Sequence, residues 1–165
     1  SKMNYYNEIA SGYDELHKEE QLQKLAVIKD SGIVREDDVL LDVGCGTGFS
    51  LDYFMVKEAH GIDPAAKLAA QYAGSHDIQV AAAESIPYED DAFDVVISVT
   101  AMQNFSDLKK GLEEICRVGK DRFALTILKC STKVDLARQL MSQIFADLRI
   151  RELEEERDSI FLISP

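Results

Sequence analysis

Two periodicities alternate along the chain. Val39-Leu40-Leu41-Asp42-Val43, Asp94-Val95-Val96-Ile97-Ser98-Val99, Phe123 to Leu128 and Ile160-Phe161-Leu162-Ile163 are short, nearly continuous apolar runs. Runs of this kind predict strands covered on both faces, as in a parallel sheet. Weaker strand signals occupy Ala59 to Asp63 and Ile78 to Ala81. Between them the apolar residues recur at helical spacing. Leu22, Leu25, Ala26 and Ile28 mark an N-terminal helix that Gly32 ends. A second helix is expected from about Thr47 to Lys57. Another is expected from Ala65 to Ala73 behind Pro64, since proline suits a first helical turn. Leu108, Leu112, Ile115 and Cys116 define a helix capped by Ser106, and Val134, Ala137, Leu140, Met141, Ile144 and Phe145 define a last one. The C-terminal part reads as two antiparallel strands joined by a charged turn near Glu156-Arg157-Asp158. The strand with Glu152, Glu154 and Glu155 is expected at a solvated sheet edge, where charge discourages aggregation, and the apolar one inside. Strands alternating with helices predict an α/β fold built from βαβ units.

Composition narrows this pattern. The 165 residues suit one domain, with no repeat or low-complexity tract. No apolar stretch reaches the length of a membrane span, and Ser1 to Asn7 lacks a signal-peptide core. Cys45, Cys116 and Cys130 form neither a disulfide framework nor a zinc motif, which points to a reducing cytoplasm. The formal net charge of −12 repels phosphate backbones. Unaided nucleic-acid binding is therefore not expected, and the acidity serves solubility or a basic partner.

The candidate chemistry lies where the first strand ends, in Leu41-Asp42-Val43-Gly44-Cys45-Gly46-Thr47-Gly48-Phe49. Glycines in a strand-to-helix turn let the backbone approach a ligand and adopt positive φ. The carboxyl end of a central parallel strand is where open α/β sheets bind ligands. Phe49 stands where a dinucleotide fingerprint needs its third glycine, and the Gly-Lys-Ser/Thr of a phosphate loop is absent. About twenty residues on, Asp63 ends the second strand, where a carboxylate can accept both hydroxyls of a ribose. It can equally cap the Pro64 helix.

These residues resemble class I S-adenosylmethionine-dependent methyltransferases. Leu41 to Gly48 is similar to the first motif and Gly61-Ile62-Asp63-Pro64 to the second. Ala83 to Ser98, Ala101-Met102-Gln103-Asn104-Phe105, Ile115-Cys116-Arg117-Val118 and the N-terminal Tyr5 to Asp14 resemble the ubiquinone/menaquinone-methyltransferase branch. The resemblance implies a Rossmann-like three-layer sandwich whose seven-stranded, mainly parallel sheet has the order 3-2-1-4-5-7-6 with strand 7 antiparallel. It implies one domain over 1–165, with a helical lid segment at 1–32 and the core at 37–165. The implied cofactor is S-adenosylmethionine, leaving S-adenosylhomocysteine as product. Gly44, Cys45 and Gly46 would pass under its methionine part, with Asp42 orienting the ammonium through water. Asp63, followed by Pro64, would take the ribose hydroxyls, and Ala83 and Glu84 would edge the adenine. Ser98, Val99 and Thr100 would lie near the sulfonium, with Tyr5 and Tyr13 closing over the cofactor. One position departs from the pattern. Where many relatives carry an acidic residue before Ala83 this chain has Ala82, so the adenine amino group loses an acceptor or Glu84 supplies it.

The implied reaction needs no metal, because the sulfonium already activates the methyl group, and no catalytic base is assigned. His60 and His76 read as structural or surface residues. His17 and the pair Gln103 and Asn104 are placed to reach an acceptor, or are surface and loop residues. The acceptor itself, small molecule or macromolecule, is not encoded in these motifs. The absence of a capping insertion after the fourth or fifth strand favours a large acceptor or a partner protein that completes the site. The competing expectation is a non-catalytic cofactor-binding subunit or scaffold working with a partner. A nicotinamide-dependent oxidoreductase is disfavoured by the glycine spacing.

Overall fold

The structure, a computed structural model, describes residues 16–165 in full and residues 2–15 only as backbone of the first helix. The elements are α1 (Lys2–Asp30), β1 (Val39–Val43), α2 (Phe49–Tyr53), β2 (Glu58–Asp63), α3 (Ala66–Ala70), β3 (Asp77–Val80), β4 (Phe93–Ser98), a 3-10 turn (Met102–Asn104), α4 (Leu108–Val118), β5 (Gly119–Leu128), α5 (Val134–Ile144), β6 (Arg149–Glu154) and β7 (Asp158–Ser164). The strands form one seven-stranded sheet in the order β3-β2-β1-β4-β5-β7-β6. All neighbours are parallel except β7, which runs antiparallel to β5 and β6. This is the Rossmann-like topology expected.

The continuous apolar runs follow from helices on both faces of the sheet. Leu41, Val43, Val96, Phe123, Leu125 and Phe161 face one core with Leu112 and Ile115 of α4 and Ala137 and Met141 of α5. Leu40, Val95, Ile97, Ala124, Ile160 and Leu162 face the other with Leu25 and Ile28 of α1 and Leu51 of α2. The strand period of two assigns successive side chains to opposite cores. Asp42 shares its face with Leu40 and is fully buried.

Several boundaries differ from expectation, for local reasons. Helix α2 stops at Tyr53 because Phe54 turns extended, φ −89 and ψ 134, and buries its ring. Helix α3 runs over Ala66–Ala70 rather than Ala65 to Ala73: the Asp63 carboxylate accepts from Ala65 N at 2.8 Å and makes a turn there. With no buried residue of its own, α3 has no apolar face to extend it. The cap of α4 is Asp107, not Ser106; its side chain accepts from Lys110 N at 3.0 Å. Asp107→Ala should therefore cost about 1 kcal/mol, read as a lower urea midpoint at unchanged slope. Strand β5 begins at Gly119, directly after α4, where a Cβ would lie 2.4 Å from the Phe123 ring. The C-terminal hairpin is as expected, with β6 at the edge and β7 inside, except at Asp158. That residue, expected in a solvated charged turn, is completely buried.

Candidate cofactor cleft

A cleft of about 1140 Å³ opens at the carboxyl ends of β1, β2 and β4. Its floor is the glycine turn. Gly44, Gly46 and Gly48 hold φ of 77, 56 and 90, values that favour glycine. Backbone bonds fix the turn to the next strand: Gly44 N and Cys45 N both donate to Ile62 O, at 2.8 and 3.0 Å. A Cβ on Gly44 would stand 2.6 Å from the Ala101 Cβ, and one on Gly48 2.2 Å from the Tyr72 ring. A Cβ on Gly46 would meet nothing within 4 Å, so Gly46 presents bare backbone to open space.

Asp63 binds this turn from the side. Its Oδ2 accepts from Gly46 N at 2.9 Å while Oδ1 accepts from Ala65 N. Each carboxylate oxygen has a second lone pair, so both can still receive a ligand hydroxyl. Asp42 lies beneath the same turn. Ser50 Oγ donates to its Oδ2, and its Oδ1 has no partner among the described residues. Burial pushes the Asp42 carboxyl up to about 7, against the lowering effect of Ser50, and the charge of Asp63 adds to the rise. Burial, with Asp42 and Asp63 nearby, also holds the Cys45 thiol well above its ordinary range. A buried thiol of this kind packs against the turn and is no nucleophile.

Of the residues singled out in the sequence, Gly44, Cys45, Gly46, Asp63, Pro64 and Val99 line the cleft together, joined by Thr100 and Asn104. Others stand behind its surface. Ser98 is buried and donates to Val43 O at 2.8 Å, tying β4 to the start of the turn. Ala83 is buried, and a Cβ on Gly111 of α4 would lie 3.4 Å from it. Glu84 is half-buried and accepts from Asp107 N at 3.2 Å. Gln103 donates to Thr100 O rather than facing the cleft. Tyr5, Tyr6 and Tyr13 lie outside the residues whose side chains are described. His60 approaches Glu58 and Asp77 on the sheet, and His76 lies near Asp52. His17 lines the mouth of the cleft with Gln21.

Tyr72 gave no signal in its alanine-rich stretch, yet it walls the cleft. Its ring covers Gly48, and its hydroxyl donates to Asp52 at 2.6 Å and accepts from His76 N at 3.0 Å. No spacing rule links residue 72 to residue 48; only the folded turn brings them together.

A glycine floor, a carboxylate beside it and an orphaned carboxylate oxygen beneath it suit a nucleoside joined to a cationic amino acid. The chain belongs to the class that uses such a ligand. The family described as Methyltransferase domain matches residues 41–125, more than half of the sequence, and this chain is a member of that family, the class I S-adenosylmethionine-dependent methyltransferases. An uncharacterized Methanocaldococcus jannaschii protein is 33% identical over 119 residues, covering 71% of this chain and 47% of that one. A demethylmenaquinone methyltransferase of Corynebacterium urealyticum is 33% identical over 100 residues, 59% of this chain and 44% of the relative. The chain thus spans about half the length of the curated relatives it matches. Two solved structures share the fold. The YcgJ protein of Bacillus subtilis has a TM-score of 0.67 at 22% identity, over 80% of this chain and 70% of that one. A Haloferax volcanii protein solved in complex with a methyltransferase activator has a TM-score of 0.70 at 16% identity, over 94% of both chains. Among the described residues no helix is long and apolar enough to cross a membrane.

Proposed function

We propose that this domain binds S-adenosylmethionine in the cleft and transfers its methyl group to an acceptor that enters beside Val99 to Asn104. The reading is carried by one observation: the Asp63 carboxylate, at the end of β2, grips the glycine turn after β1 through Gly46 N at 2.9 Å. Gly44 and Gly46 support the methionine part, and Asp63 takes the ribose hydroxyls. Asp42 acts from beneath as a buried negative charge facing the ammonium. When bound, the sulfonium supplies an electrophilic methyl group, so the protein's task is to align an acceptor in line with it. Pro64 and Val99 flank the bound ligand. Ala83 and Glu84 support the adenine side from behind, with Glu84 already engaged by Asp107 N. Ser98 holds β4 in register with the turn beneath the sulfonium. Tyr13 is assigned to the lid by family resemblance.

The acceptor is a small molecule or a macromolecule, and the lack of a capping insertion after β4 or β5 favours a large one or a partner protein that completes the site. The likeness, over 94% of both chains, to a Haloferax volcanii protein solved in complex with a methyltransferase activator favours the partner. A net charge of −12 means that any nucleic-acid acceptor would need basic surface from that partner. The free thiols of Cys45, Cys116 and Cys130 suit the reducing cytoplasm.

Titration calorimetry with S-adenosylhomocysteine tests the cofactor reading. Saturable binding that NADH does not displace is the expected result, and no binding at millimolar ligand would overturn it. Label from methyl-labelled S-adenosylmethionine, followed into the small-molecule, RNA and protein fractions of a cell extract, then identifies the acceptor. Binding without any transfer would favour the non-catalytic subunit.

A further inference from the structure

Behind the transfer end of the cleft lies a buried polar network that cofactor binding does not explain. Lys24 of α1 and Asp158 at the start of β7 are only 3% and 0% exposed and pair at 3.0 Å. Lys24 Nζ also donates to Thr100 Oγ1 at 2.8 Å. Asp158 Oδ2 accepts from Thr100 Oγ1 at 2.7 Å and from Thr126 Oγ1 at 2.8 Å. Thr126 Oγ1 in turn accepts from Thr100 N at 2.8 Å, and Gln103 Nε2 donates to Thr100 O at 2.8 Å. Every polar atom of Thr100 is therefore held.

Thr100 needs holding. Its φ is +53, a strained value for a β-branched residue. Such a conformation persists only where the surroundings over-determine it. Here it seats Ala101 against Gly44, where no side chain fits between them. The same lysine fixes the rotation of α1. His17, Gln21 and Lys24 share one helix face, and the first two line the cleft. Gln21 Oε1 is buried and has no partner among the described residues.

We propose that Lys24, Asp158 and Thr126 are positioning residues that lock the Thr100 turn against the glycine loop and aim Gln21 of α1 into the transfer end of the cleft. The proposal rests on the cofactor reading above but concerns alignment rather than affinity. Removing the lysine or the aspartate would leave a buried charge unpaired, whereas removing the Thr126 hydroxyl frees only the neutral Thr100 N–H and one of the contacts of Asp158, so Thr126 is the informative position. Thr126 is fully buried and does not line the cleft, and Thr126→Val is nearly isosteric.

The probe is S-adenosylmethionine carrying a 13C methyl, observed by NMR when bound, with calorimetry on S-adenosylhomocysteine alongside. In Thr126→Val the cofactor affinity should stay within about twofold of wild type, because the glycine turn and Asp63 lie outside the network. The bound methyl resonance should move by more than its linewidth, and Thr126→Ser, which keeps the hydroxyl, should return it. A purely structural role would lower the unfolding midpoint of Thr126→Val without displacing that resonance. An unmoved resonance, an unrescued one, or lost affinity in a folded variant would each overturn the proposal. Absence of binding by the wild type would overturn the cofactor reading and this proposal with it.

Discussion

Replacing Asp63 with alanine should weaken S-adenosylhomocysteine binding by two to four orders of magnitude. The carboxylate is proposed to receive two ribose hydroxyls, and a hydrogen bond to a charged group contributes roughly 1.5–3 kcal/mol. Two of them lie near 3–6 kcal/mol, and each 1.4 kcal/mol is about tenfold in affinity. The substitution also frees Gly46 N and Ala65 N, which the carboxylate now holds at 2.9 and 2.8 Å. Asp63→Asn separates these effects. Its amide oxygen can still accept from one backbone N–H, but its amide nitrogen cannot accept from the other, so it should bind more weakly than wild type and better than Asp63→Ala. Calorimetry reads both variants, and far-UV circular dichroism confirms that they are folded. Affinity within threefold of wild type in a folded Asp63→Ala would remove the ribose assignment.

The sheet was legible because its central strands are covered on both faces. Continuous apolar runs such as Val39–Val43 and Ile160–Ile163 leave no other economical arrangement. The antiparallel pairing of β6 with β7 followed from the short turn between them and the edge position of β6 from its glutamates, whereas the strand order and the reversal of β7 against the sheet came from the family resemblance. The glycine turn and Asp63 were legible because the chemistry is local: both close adjacent strands. Boundaries set by tertiary contacts were not. Nothing in the spacing says that Phe54 buries its ring instead of continuing α2, or that Asp63 turns Ala65 away from helix. Asp158 shows the limit most clearly. It ends a charged stretch, and only the fold brings Lys24, so distant in sequence, to neutralise it at zero exposure. Lys24 itself occupies a buried helix position while Leu22 of the same helix is 42% exposed. Polarity decides burial only when no partner is available, and the partner lies in another part of the chain.

Cofactor affinity should rise with pH and level off above about 7, the pH at which the buried Asp42 carboxyl ionises. Asp42 ordinarily would release its proton near 3.8. Between those values the unfolded chain has lost the proton and the folded protein keeps it. The sign is therefore fixed: the contribution of Asp42 to folding stability is greatest at low pH, falls through this window, and is constant above it. Each pH unit in the window corresponds to about 1.4 kcal/mol, so the whole fall is on the order of 4 kcal/mol. Asp94 and Glu114 act in the opposite sense, but their carboxyls are held below their ordinary values by Lys120 and Arg117, so they act at lower pH. A bound ammonium favours ionised Asp42, which requires proton release on binding below about 7 and an affinity gain of up to tenfold per pH unit there. Asp42→Asn cannot ionise. The difference between it and the wild type isolates this one group from the histidines, and its unfolding midpoint and cofactor affinity should both be flatter from pH 5 to 7.5. Calorimetry in two buffers of different ionisation enthalpy counts the released proton. Equal heats in both buffers at pH 6 would mean that Asp42 keeps one protonation state through binding, and would remove the proton release and the pH-dependent affinity with it.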